Sequence, residues 1–292
     1  VLPRIDYLSW AIDTFPRARW DLATSGLPSI SAAELGAPAD LGDPAALRSF
    51  AAAIAERHAV PVSEVFPALG TSGAAWIIAA SVLTGGGPAE VLIEQPTYEP
   101  PLRDIEGFGA PVRRVQRSAG AGWRPYPPAF ADALTDRTRL VVLASPHNPT
   151  GVVTPDGDLA QIAAACAARG AYLLVDEVYR ELALPRTTAR NLAPNVLVVS
   201  SLTKCFGVGW ARAGWALLPE SLRAAAHTAE MHATGVLPTM CGAIGAHALA
   251  RIDALTARAD LLCSGKRAIV DAFLARHPRL SWTPPPPRAL FG

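Results

Sequence analysis

The sequence predicts an α/β protein: a mostly parallel β-sheet with helices on both faces, three layers in all, beside a smaller second domain. Three observations lead there. Short runs of strand-forming residues alternate with Ala-rich amphipathic segments through the middle of the chain. Several of those runs are apolar at consecutive positions, as strands buried on both faces require. A chain of 292 residues, 50% apolar and 17% charged, can bury a large core with length left for part of a second domain.

The spacing predicts strands at Val91–Glu94, Val112–Gln116, Leu140–Ala144, Tyr172–Asp176, Val196–Ser200 and Ala213–Leu218. It predicts helices over Pro44–His58, Gly73–Leu83, Glu99–Phe108, Pro155–Arg169, Pro219–Thr234 and Thr239–Leu262. In sheets of this kind ligands bind at the carboxyl ends of the strands. Residues 36–250 carry the alternation and form the large domain. Residues 1–35 and 251–292 fit it poorly and are assigned to a small α+β domain built from both chain ends. Pro284–Pro287 reads as a stiff extended connector. The chain starts on Val1 and stops at Phe291-Gly292 soon after that run, as expected of a piece of a longer open reading frame, with the small domain incomplete at its C-terminus.

A formal net charge of +1 gives no electrostatic case for nucleic acid or an anionic membrane surface. Apolar runs such as Ala74–Leu83 are too short to span a bilayer. Cys166, Cys205, Cys241 and Cys263 lack metal-ligand spacing and read as small buried residues in a reducing compartment, the cytoplasm. No metal site is expected.

The residues that follow the predicted strands carry the chemistry. They are Gln95-Pro96-Thr97-Tyr98, Ser145-Pro146-His147-Asn148-Pro149-Thr150-Gly151, Asp176-Glu177-Val178-Tyr179, and Ser201-Leu202-Thr203-Lys204. One sheet edge thus receives an aromatic ring, an amide, a carboxylate with a phenol, and an amine. A poorly solvated lysine beside cationic groups can act as an imine-forming nucleophile. A carboxylate leaving a buried strand needs a cationic partner, and a protonated pyridine nitrogen is one. Amide and phenol can hydrogen-bond a phenolate oxygen, and an aromatic ring can stack on a heterocycle. These are the needs of pyridoxal phosphate. Thr71-Ser72-Gly73-Ala74-Ala75-Trp76 opens a helix with small residues and free N–H groups for a phosphate. Arg212, eight residues after Lys204 among glycines, can hold phosphate bidentately.

Together these motifs resemble the class I/II aminotransferases of fold type I, in family order from Gly42-Asp43-Pro44 to Leu218. The resemblance implies that Lys204 carries the cofactor as a Schiff base and that Asp176 pairs with the pyridine nitrogen. It implies that Asn148 and Tyr179 hold the ring oxygen and that Tyr98 stacks on the ring. Gly73, Ala74, Ala75, Ser201 and Arg212 would hold the phosphate, and Gly26 would offer a substrate-side backbone contact. It further implies a specially shaped, cis turn at Asn148-Pro149, a homodimer with the active site at the subunit interface, and ping-pong transamination between an amino acid and a 2-keto acid, with Lys204, Asp176 and Tyr179 as catalytic residues.

The chain departs from the family pattern twice. Relatives carry an arginine for the substrate α-carboxylate beyond the point where these residues stop, and Arg288 lies too early to match it. Many also carry a tyrosine before the helix that opens with Leu-Arg, where this chain has Gly36–Leu41.

Each residue also has an ordinary reading. Lys204 fits a solvated face, Asp176 an N-cap or ion pair, Tyr98 and Tyr179 packing, Asn148 a turn, and Ser72–Ala75 a plain helix start. Trp76 and Trp210 read as packing residues, His147 as a neighbour of the site, and Glu177 as structural on the opposite strand face. The same cofactor set also serves lyases, decarboxylases and synthases, because it determines cofactor electronics rather than which Cα bond breaks. A non-catalytic cofactor-binding module and an inactive truncated chain are the other readings.

Overall fold

The computed structural model describes residues 2–21 and 23–291. Its strands are β1 (Val65–Leu69), β2 (Glu90–Gln95), β3 (Val112–Gln116), β4 (Thr138–Ala144), β5 (Tyr172–Asp176), β6 (Val196–Ser201) and β7 (Ala213–Leu217). They form one sheet in the order β1-β7-β6-β5-β4-β2-β3. β7 runs antiparallel to β1 and β6, and the remaining neighbours are parallel.

Side chains alternate across a strand, so a strand covered on both sides must be apolar at every position. In β4, Val141 and Leu143 join one core layer with Leu173, Val175, Val196 and Val198. Leu140 and Val142 join the other with Leu174, Leu197 and Val199. The helices Ala46–His58, Asp156–Ala167 and Thr239–Ala250 cover the first face with Phe50, Leu159 and Ile244. Gly70–Leu83, Glu99–Gly107 and Arg223–Ala233 cover the second with Ile77, Ile105 and Ala226. Each buried Val, Leu, Ile or Phe side chain contributes about 1.5–3 kcal/mol by leaving water. The three-layer α/β/α architecture expected from the sequence is therefore present.

The differences have local causes. β1 is unpredicted because Pro67 lies within it; an edge strand tolerates proline, and β1 is an edge. The expected Thr239–Leu262 helix is two helices, Thr239–Ala250 and Ile252–Cys263, broken at Arg251 (φ −112°, ψ 19°). The helix expected from Gly73 starts at Gly70. Helices at Asp6–Thr14, Pro127–Ala133 and Lys266–Arg276 also fall outside the expectation. Cys166, Cys205 and Cys241 are buried as expected, whereas Cys263 is half-buried. No helix among the described residues is long and apolar enough to cross a membrane.

This topology delivers one functional edge. β1, β2, β4, β5 and β6 all end there. β7 runs the other way, so Arg212, just before it, reaches the same edge.

Candidate active site

At that edge lies a cavity of about 270 Å³ lined by Tyr98, Asn148, Asp176, Tyr179, Ser201, Lys204 and Arg212. Thr71, Ser72 and Ala75 line it from the Gly70–Leu83 helix, and Leu8, Pro100, Pro101 and Asp104 from the helices Asp6–Thr14 and Glu99–Gly107.

Asp176 is the last residue of β5, and its Oδ1 accepts the Val178 N–H at 2.9 Å. Burial pushes its carboxyl up to about 6, against the pull of that N–H and of Lys204. Lys204 sits in the single helical turn Thr203–Phe206 that follows β6. Burial lowers the pKa of its amine; Asp176 opposes that shift and Arg212 adds to it. The Lys204 Nζ donates to Ser25 Oγ at 3.3 Å. Tyr179 is 6% exposed, with its hydroxyl 2.8 Å from the same Ser25 Oγ. Burial raises both Tyr179 and Tyr98, so each is a neutral phenol at ordinary pH. Tyr98 and Tyr7 pack in a T-shaped pair with centroids 5.7 Å apart, and Tyr179 and Phe291 in another at 4.6 Å.

The cationic end is built by close backbone approach. A Cβ on Gly214 would lie 2.4 Å from the Gly70 Cα, so β7 presses directly on the start of the Gly70–Leu83 helix. Arg212 is itself left-handed, with φ +51°, a strained state for a side-chain-bearing residue. Its Nη2 donates to Leu69 O at 3.3 Å, and it makes no ion pair with a carboxylate among the described residues. Beside it, Ser201 Oγ accepts from Thr71 Oγ1 at 3.0 Å.

The structure corrects one expectation here, the place of the cis turn, and places several other residues. Because the helix starts at Gly70, its open N–H groups fall at Thr71 and Ser72; Ala75 lines the cavity, but Gly73 and Ala74 do not. The cis peptide bonds are Gln95–Pro96 and Ser145–Pro146, not Asn148–Pro149. Gly26 packs on the lysine: its Cβ would lie 3.1 Å from Lys204 Cδ, and the Leu27 N–H donates to Lys204 O at 2.9 Å. Trp210 does not line the cavity; it is 38% exposed, and its indole N–H donates to Ile30 O at 2.7 Å.

Other expectations fit. His147 is buried behind the cavity, its Nε2 donating to Pro96 O (2.9 Å) and its Nδ1 accepting from Thr150 Oγ1 (2.8 Å). Burial lowers it to about 4, so it is neutral. Glu177 accepts the Ala189 N–H at 2.7 Å on the other face of β5. Arg288 pairs with Asp260 (2.9 Å) and does not line the cavity. Ser25 is a site residue that no motif signals.

A family model described as aminotransferase class I and II matches residues 21–291. The chain belongs to this family. Among curated relatives of this aminotransferase-family chain, a probable N-succinyldiaminopimelate aminotransferase of Mycobacterium tuberculosis is 34% identical over 198 residues, 64% of this chain and 50% of that protein. The chain spans about half the length of the curated relatives it matches. A solved PLP-dependent aminotransferase from Streptococcus suis superimposes with a TM-score of 0.86 at 21% identity, covering 98% of this chain and 81% of that one. A PLP-dependent cyclase, OrfR, gives a TM-score of 0.80 at 24% identity, covering 96% and 77%. At these identities both show the fold, which is fold type I.

The residues present fit pyridoxal phosphate, the cofactor of the family. Among the described residues neither the Asp176 carboxylate nor the Arg212 guanidinium is in an ion pair, although the charge of Lys204 acts on Asp176. They lie in one cavity with an amine whose pKa is lowered. A ring with a cationic nitrogen at one side and a phosphate at the other satisfies both.

Proposed function

We propose that this chain is a pyridoxal-phosphate-dependent aminotransferase that moves an amino group between an amino acid and a 2-keto acid in two half-reactions. One observation carries the reading: Lys204, Asp176, Asn148, Tyr179 and Arg212, from separate strand ends, line a single cavity. In it, Arg212, Ser201 and the N-terminal end of the Gly70–Leu83 helix, from Thr71 to Ala75, would hold the phosphate. Asp176 would keep the ring nitrogen protonated, Asn148 and Tyr179 would donate to the ring oxygen, and Tyr98 would stack on the ring. Bound there, the cofactor supplies an electron sink that acidifies the substrate Cα–H. Lys204 would hold the cofactor through its Nζ, and that same amine, when free, would take the substrate Cα proton and return it as a general acid. Its lowered pKa suits an amine that must be neutral to take a proton.

Residues 36–250 act as the cofactor domain in this reading, with 1–35 and 251–292 as parts of the small domain. A homodimer is supported by exposed large apolar residues, Trp210, Val236 and Met240 among them. A cytoplasmic location is supported by four free thiols.

The test is a half-reaction. Holoenzyme given amino acids without any keto acid acceptor releases one keto acid per site and stops, resuming when an acceptor is added. Continuous turnover without an acceptor, or loss of carbon dioxide or a side-chain fragment instead of keto acid, assigns the site to the lyase, decarboxylase or synthase reading.

A further inference from the structure

Ser25 follows no strand, yet its hydroxyl touches both the amine and the phenol of the site. Ser25 Oγ lies 3.3 Å from Lys204 Nζ and 2.8 Å from Tyr179 Oη. Among the described residues neither group has another hydrogen-bond partner. Main-chain contacts fix the serine in place. The Leu27 N–H donates to Lys204 O (2.9 Å) and the Ile30 N–H to Gly207 O (3.1 Å). Gly207 has φ +73°, and a Cβ there would come within 2.3 Å of Pro28 O. Residues 25–30 therefore run along the lysine turn, backbone against backbone.

We propose that Ser25 is a positioning residue whose hydroxyl joins Lys204 and Tyr179 in one hydrogen-bonded chain, coupling the protonation of the amine to the direction of the phenol proton. The amine–serine–phenol link stands on the geometry alone; what the phenol proton meets in the cavity rests on the cofactor reading. An ammonium has donors only, so it donates to Ser25 Oγ. The serine hydrogen then goes to Tyr179 Oη, and the phenol hydrogen is left pointing at an acceptor in the cavity. A neutral amine has a lone pair, so the chain can run the other way, from phenol to serine to amine. Loss of the hydroxyl removes an acceptor from the ammonium and, in the cofactor-bound site, weakens the phenol as a donor. The other groups facing Lys204 are Asp176 on β5 and Arg212 before β7, with Tyr98 and Tyr7 on the phenol side; all remain in place.

The test compares Ser25→Ala with Ser25→Thr, which keeps a hydroxyl. On protein without added cofactor, acetic anhydride labelling across roughly pH 6 to 11 gives the midpoint of each amine, with exposed Lys266 as internal reference. Hydrogen bonds to a charged group are the stronger kind, so Ser25→Ala is expected to lower the Lys204 midpoint by about half to one unit. Ser25→Thr is expected to stay within about 0.2 unit of wild type, and Lys266 to stay unmoved. With pyridoxal phosphate bound, the pH midpoint of the visible chromophore is expected to move in Ser25→Ala and not in Ser25→Thr. A wild-type midpoint for Ser25→Ala in either arm, or an equal shift in Ser25→Thr, overturns the proposal. Wild-type protein that forms no chromophore overturns the cofactor reading instead, and the labelling arm still decides Ser25.

Discussion

Replacing Arg117 with methionine removes the partner of a carboxylate buried behind the cavity. Glu94 and Arg117 both have side chains with 0% exposure. Arg117 Nε donates to Glu94 Oε2 at 2.7 Å, and the Ala144 N–H donates to Oε1 at 2.7 Å. Arg117 also donates to Trp123 O (2.9 Å) and Thr154 Oγ1 (3.2 Å). The pair thus ties the end of β2, which leads to Tyr98, to the end of β4, which leads to Asn148. Leaving one member of a buried pair unpartnered costs about 3–5 kcal/mol, out of a total stability of roughly 5–15. At pH 8 the variant is therefore expected to melt on the order of 10 °C below wild type.

The cost depends on pH. Burial already raises Glu94 from 4.5 to about 7 despite the attraction of Arg117. A carboxyl raised in the folded state stabilises below its unfolded value and loses that contribution as pH rises through the folded one. Without Arg117 the folded value climbs further, so at pH 5 the variant carboxyl is protonated and the deficit shrinks to about 1 kcal/mol. Urea unfolding followed by circular dichroism at both pH values measures this. Glu94→Gln added to Arg117→Met is expected to recover most of the loss at pH 8. A deficit that is equal at pH 5 and pH 8, or a double variant as unstable as the single, refutes the reasoning.

Asp176→Asn is expected to leave the melting temperature nearly unchanged but to slow the half-reaction by about 10²–10³-fold, read by single-turnover kinetics. Arg212→Lys loses a planar, bidentate phosphate donor, and equilibrium dialysis is expected to show cofactor affinity falling roughly tenfold or more. Gly207→Ala places a Cβ against Pro28 O at φ +73°. It is expected to cost at least about 1–2 kcal/mol and to speed hydrogen exchange at the Leu27 and Ile30 amides, which lean on that turn.

The sheet was largely legible in the sequence because both of its faces are covered, which forces consecutive apolar positions in β2, β4, β5 and β6. β1 was not, because Pro67 speaks against a strand and only its place at the sheet edge excuses it. The start of the Gly70–Leu83 helix was misplaced by three residues because Leu69 in the N-cap position makes no side-chain cap. The break at Arg251 involves neither glycine nor proline, the residues that announce one. Lys204, Asp176, Asn148 and Tyr179 could be found because each follows an apolar run by a few residues. Ser25 could not: its partner Lys204 is 179 positions away, and a serine in a loop is ordinary on its own.

The central claim, that Lys204 anchors the cofactor, has a direct measurement. The sequence contains two lysines, Lys204 and Lys266. Protein mixed with pyridoxal phosphate, reduced with borohydride and digested is expected to carry one label, on the peptide containing Lys204. A label on Lys266 or the N-terminal amine with none on Lys204, or no visible chromophore before reduction, contradicts it.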